Sequence, residues 1–191
     1  MFFLGIAISA WAKSRKFGKA TRGKSILKKM IEMHESGEIS AKPNTHCYTA
    51  VINSCAHCEN DEFEKRDALR IAIETYKELI DSDYGEPNEV TFSTLITVLR
   101  NVLPECQKRS SAIGTIFKKC AEDGHVDDVV VRRLQSTLNN EELHVLLGDA
   151  VSADGRVDIT ELPTEWRRNV KSSARKRKHA TWPHDANSPS A

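Results

Sequence analysis

The chain lacks a long apolar run. No stretch among its 191 residues approaches the roughly 20 apolar residues that a bilayer span requires, so a soluble protein is expected. It has almost no net charge: 28 Lys and Arg stand against 27 Asp and Glu. Affinity for a polyanion would therefore have to come from how charge is distributed. Its five cysteines, Cys47, Cys55, Cys58, Cys106 and Cys120, are odd in number and lack the regular spacing of a secreted disulfide framework, which points to a reducing compartment. Seven histidines are scattered with no nucleophile or metal partner at motif spacing, and there is no phosphate loop or nucleophile elbow. The chain is expected to be no enzyme, and to carry neither metal nor cofactor.

Three shorter signals fail on inspection. The opening MFFLGIAISAWA resembles the apolar core of a signal peptide, but no basic segment precedes it and its residues recur later in the chain. Cys55 and Cys58 form a C-x-x-C, yet no second pair exists and Glu59 follows, which excludes the haem-attachment form; small thiols packed in a core are the expectation. Around Asp154, Gly155, Asp158 and Glu161 the spacing is that of a calcium loop, but the first ligand position falls on Ala150 and the third on Ser152. Without the leading carboxylate, calcium is not expected.

What the chain does have is asymmetry and periodicity. From Met1 to Ile31 there are eight Lys or Arg and no acid, and from Arg167 to His179 seven and no acid, so the two ends are the basic parts. A shift of 44 residues lays Leu4 on Tyr48 and Phe92, Ile8 on Ile52 and Ile96, and Trp11 on Cys55 and Leu99. A second ladder at i, i+4, i+7 follows each copy: Gly23, Leu27, Met30; then Ala72, Tyr76, Leu79; then Ile113, Phe117, Cys120. That spacing is one face of a helix. Breaking stretches separate the ladders, and turn-forming segments close the units at Asn44, Asn88 and Asp128.

Each unit therefore reads as helix, turn, helix, turn. Such a hairpin has an apolar face that it cannot bury alone, and stacking the next hairpin against it yields a solenoid with a concave surface. The expected fold is all-α, a helical-hairpin repeat solenoid of about three units (1–44, 45–88 and 89–128). Two shorter amphipathic segments, VVVRRLQSTL and NNEELHVLLG, should form a capping hairpin. The cap and a strap extend through 139–170, and 171–191 should be a disordered basic and polar tail.

The strings AISAWAKS (7–14), KPNTHCYTAVINSCA (42–56) and EPNEVTFSTLITVL (86–99) resemble the pentatricopeptide repeat. Units of that family open with a phrase like V-T-Y-N-T-L-I and close with K-P-D or K-P-N. The likeness covers about residues 2 to 138. It is strongest in the second and third units; the first, with Leu4 in the aromatic slot and Gly5 in the base-reading slot, looks truncated or degenerate. The units are also longer than the family's usual length of about 35, with the extra residues in the turns.

The resemblance implies single-stranded RNA as partner, one base per repeat read by two or three side chains. The fifth residue of each first helix would pair with the last residue of the unit: Thr49 with Asn88, implying adenine, and Ser93 with Asp128, implying guanine. An amide can donate and accept, whereas an ionised carboxylate only accepts. Second-position His46 and Val90 would stack on base faces, and Gly5 with Asn44 would be the degenerate reader of the first unit. Basic residues from Lys13 to Lys29 would meet phosphates.

Capping is the competing reading of these polar residues, because Thr, Asn, Ser and Asp near helix starts commonly do nothing more. The expected role is a non-catalytic adaptor in RNA processing, stability, editing or translation, in a mitochondrion or chloroplast by resemblance, with nucleus or cytoplasm as other locations. The alternative is a helical scaffold that binds protein through the same concave face or the apolar face of residues 1–12.

Overall fold

Short polar side chains on extended backbone mark where five of the helices begin. In the computed structural model, which describes residues 3–14, 16–57 and 61–170, Asn44 accepts from the Cys47 amide at 3.1 Å and Asp61 from the Phe63 amide at 2.9 Å. Asn88 and Asn139 form reciprocal boxes with Thr91 and Glu142, three residues on. Each cap satisfies amides that a first helical turn leaves without a carbonyl.

The helices are α1 (Phe3–Lys13), α2 (Lys19–Glu35), α3 (Thr45–Cys55), α4 (Glu62–Asp81), α5 (Glu89–Val102), α6 (Gln107–Glu122), α7 (Asp128–Gln135) and α8 (Asn140–Leu147). Short 3-10 turns lie at Ile39–Ala41, Gly148–Ala150 and Thr164–Arg167. The fold is all-α; among the described residues the only extended pairing is an isolated antiparallel bridge between Val151 and Val157. No described helix is long and apolar enough to cross a membrane.

Both apolar ladders face inward. Leu27, Ala72, Leu79, Ile113 and Cys120 are fully buried, and Ile8, Ile52 and Ile96 are equally inaccessible in α1, α3 and α5. Full burial of an Ile or Leu contributes about 1.5–3 kcal/mol each, so these positions dominate the cohesion between helices. Within pairs, α1 packs on α2, α3 on α4 and α5 on α6; between pairs, α1 packs on α3, α3 on α5 and α5 on α7, while α2 touches α4. Leu143 and Leu147 of α8 join the same core.

The connections are fixed by close approach as well as by caps. Gly85 has φ 141°, and a Cβ there would run into the Thr45 hydroxyl, which donates to the Glu86 carbonyl at 3.0 Å. Only glycine suits both demands. At the far end the Val126 amide donates to the Trp166 carbonyl at 2.8 Å and the Phe117 and Trp166 rings meet edge to face at 5.5 Å. Residues after α8 thus strap back onto α6. The tail expected at 171–191 lies outside the described residues.

Candidate nucleic-acid interface

A cleft of about 580 Å³ opens between α1 and α3. Gly5, Ser9 and Lys13 line one wall, since residues four apart fall on one helix face. Lys42 and Asn44 from the connection after α2, and His46 from the first turn of α3, line the other. Two lysines and no carboxylate border this space, so it favours an anion. A Cβ at Gly5 would lie 3.6 Å from Cys47 Sγ, an ordinary contact. Packing therefore does not demand glycine, and its missing side chain widens the cleft. Burial pushes the Cys47 thiol up, which makes it a neutral wall and no nucleophile.

Three residues singled out in the sequence, Gly5, Asn44 and His46, thus share one cleft. His46 is exposed there, with its ring available for stacking. Thr49 and Ser93 are not among the lining residues. Thr49 is only 7% exposed, and its hydroxyl lies 2.9 Å from that of Thr91. Ser93 is 6% exposed and donates to the Val90 carbonyl at 3.1 Å. Val90 itself is 53% exposed.

Asn44 and Asn88 both act as caps. Asn88 Oδ1 accepts from the Val90 and Thr91 amides at 3.1 Å each and from the Thr91 hydroxyl at 3.1 Å. Thr91 consequently joins Thr49 to Asn88, so the two residues that the resemblance pairs in the second unit belong to one hydrogen-bonded chain. The third unit needs a correction of one residue. The position equivalent to Asn44 and Asn88 is Asp127, which accepts from the Val129 and Val130 amides at 3.0 and 2.8 Å, whereas Asp128 is the exposed first residue of α7. The reason is backbone geometry: Asp127 is extended, with φ −113° and ψ 178°, the conformation that lets a cap side chain reach the second and third amides. Burial, with a smaller contribution from Glu89, holds the Asp127 carboxyl above the usual range.

The first unit's basic cluster divides. Lys24 pairs with Glu78 of α4 at 2.6 Å, Lys28 with Glu32 at 3.8 Å, and the buried Lys19 ammonium donates to the Ser14 carbonyl at 3.2 Å. Lys13 remains toward the cleft, while Arg15 lies outside the described residues. The carboxylates of the calcium-like loop serve their own turn: Asp154 accepts from Ser152 Oγ at 2.5 Å and pairs with Arg156, and Asp158 accepts from Thr160. Those bonds hold both below the usual carboxylate range. Among the described residues no group of three His, Cys, Asp or Glu could hold a metal ion. Cys55 is buried; its partner in the C-x-x-C, Cys58, lies outside the described residues.

Sequence reasoning missed Lys42, Ser9 and Thr91. Lys42 stands in the K-P-N closing phrase, and Thr91 three residues after Asn88 is a capping-box spacing, so both left a readable trace. Ser9 had none, since its place follows only once α1 and α3 are packed. Comparisons of the chain with protein families, with curated proteins and with solved structures give no match.

Proposed function

We propose that this protein binds single-stranded RNA through stacked helical hairpins of the pentatricopeptide type. It acts as a non-catalytic adaptor in RNA processing, stability, editing or translation, with an organelle as its place of work. The observation that carries the reading is the cleft between α1 and α3. A flat imidazole, an amide and two lysines converge there around a space bordered by no carboxylate, the combination a stacked base with its phosphate requires. Packing of first helix on first helix, α1 to α3 to α5 to α7, supports a solenoid of about three units closed by α7 and α8. In this reading His46 stacks on the first base, and the half-buried Asn88, held by the buried Thr91 and Thr49 hydroxyls, meets the second.

Few readers make a weak site, because stacking supplies only about 1–3 kcal/mol per base. Phosphate contacts or a partner must contribute the rest. Competition between short purine and pyrimidine single strands across a salt series tests the proposal. Binding that weakens with salt and prefers single strands over duplex supports it. Absence of RNA binding at low salt, with a protein partner copurifying, overturns it in favour of the scaffold reading, which the 58% exposure of Ile6 on α1 favours.

A further inference from the structure

The second helices are not evenly covered. α2 touches α4, but α8 has only 8 residues and stands off from the longer α6. The two meet where Ser110 Oγ donates to Glu142 Oε1 and where Leu146 lies 3.4 Å from the place a Cβ on Gly114 would take. Two cavities of about 580 and 520 Å³ share Gly114, Lys118, Val145 and Leu146, and so form one groove. Along α6 it runs from Gln107 to Glu122, roughly 22 Å at 1.5 Å per residue.

The groove has an apolar lining and an acidic border. Phe117, Leu138, Leu146 and Trp166 line it together with Val145, which at 85% is the most exposed large apolar side chain of the described residues. Around them Glu122, Glu141, Glu142 and Glu165 stand against Lys118 and Arg168. Glu142 is engaged by Ser110 and by the Asn139 amide, and the Arg168 guanidinium by the Glu122 and Glu165 carbonyls. That leaves the carboxylates of Glu122, Glu141 and Glu165 facing a single lysine. An apolar trough with this border fits a segment that sets cations beside an aromatic anchor.

The chain carries such a segment and delivers it to the groove. Trp166 and Arg168 line the groove's end, and the described residues close two positions later at Val170. In the sequence that follows, Lys171, Arg175, Lys176, Arg177 and Lys178 come before any acid, and Trp182 stands just after them. Trp182 follows Val170 by twelve residues, up to about 40 Å of extended chain. That exceeds the length of the groove, so every position along it is within reach.

We propose that the segment 171–191 docks in the groove between α6 and α8 of its own chain, with Trp182 against Val145 and Leu146 and the cations of 175–178 against the glutamates. An indole buries about 150–250 Å², which makes Trp182 the anchor and the charges its guides. The last hairpin of a stacked array has no following unit to cover it, and the docked segment takes that place. The inference is independent of RNA binding.

The test uses the full chain and approaches the contact from both sides. A tether holds the segment at an effective concentration in the millimolar range, so an intrinsic constant of about 0.1 mM keeps it docked roughly nine parts in ten. Trypsin cuts the open fraction, and cleavage after residues 175–178 should therefore be about 10-fold faster in Trp182→Ala than in the wild type. The Glu141→Gln, Glu165→Gln double variant should also be cut faster, by a smaller factor, with the helical circular dichroism unchanged in both. In methyl NMR spectra Trp182→Ala should move the Val145 and Leu146 signals, which sense the indole ring, and leave the buried Val131 in place. Wild-type cleavage as fast as in either variant overturns the inference, and so do Val145 and Leu146 signals that ignore Trp182. Protection that grows with protein concentration, alongside a larger species in gel filtration, overturns it in favour of a second copy's segment in the groove.

Discussion

Thr49 and Thr91 stand hydroxyl to hydroxyl at 2.9 Å in the buried seam between α3 and α5. Thr91 Oγ1 donates to Asn88 Oδ1 at 3.1 Å and accepts from the Asn88 amide at 3.3 Å. A hydroxyl has one proton and two lone pairs, so with its proton on Asn88, Thr91 must accept from Thr49. The order of donation is Thr49 to Thr91 to Asn88. It couples two helices through the cap of the second.

That order predicts a non-additive cycle. Thr91→Val removes the box and leaves the Thr49 hydroxyl buried without a partner, and should lower unfolding stability by about 1–3 kcal/mol. Thr49→Val alone should cost less, because the cap survives. The double variant should lose clearly less than the sum, since both ends of the pair go together. Urea unfolding of the four proteins measures this, and strict additivity would show that the two hydroxyls do not depend on each other.

Much of the helical framework was legible because burial writes itself into spacing. Leu27, Tyr76, Leu79 and Phe117 recur at i, i+4, i+7 intervals and are buried, and Asn44 and Asn88 sit where caps belong. The site was less legible for reasons equally physical. Whether Thr49 faces a groove depends on Thr91, 42 positions away, a contact with no local signature. Asp127 and Asp128 are chemically identical neighbours, and only backbone conformation decides which becomes the cap.

Under the proposed RNA binding, His46 and the two lysines of the cleft should contribute in different ways. Stacking on an aromatic face contributes about 1–3 kcal/mol per base, so His46→Ala should weaken binding of a short single strand by roughly 5- to 150-fold without altering the salt slope. Lys13→Gln with Lys42→Gln should do the opposite and reduce the slope by about 0.7 for each contact. Anisotropy titrations at several salt concentrations separate the two, and a His46→Ala effect that vanishes at high salt would contradict a stacking role.

Asp127 combines a favourable cap with an unfavourable charge. Its carboxyl is raised mainly by burial and further by Glu89, so the folded state holds the proton more tightly than the unfolded chain. The associated stability is present at low pH and is lost as pH rises through the folded value. Asp127→Asn keeps an oxygen for the Val129 and Val130 amides and removes the charge. The variant should match or exceed the wild type at pH 7, with its advantage shrinking as the medium becomes more acidic. Asp127→Ala should lose about 1 kcal/mol. Thermal unfolding across the acid range checks both, and a growing advantage of the Asn variant at low pH would contradict the assignment.

Tyr76 offers the sharpest test of the core between α4 and α5. Its ring meets Phe92 edge to face at 6.1 Å, while its buried hydroxyl has no hydrogen-bond partner among the described residues. Burial, followed by the negative charge of Asp123, pushes the phenol up to about 12. Because the folded value lies above that of an unfolded tyrosine, the linked stability is complete below about pH 10 and disappears as pH rises through the folded value. Tyr76→Phe keeps the ring contact and deletes the unpaired hydroxyl, so stability at pH 7 should stay level or rise by up to about 1 kcal/mol, and the alkaline decline should become shallower. In the ultraviolet phenolate titration, the difference between wild type and variant should emerge only near pH 12. A clear loss of stability in Tyr76→Phe at neutral pH would mean that the hydroxyl makes a bond inside the folded protein, and the packing of α4 on α5 would have to be redrawn around it.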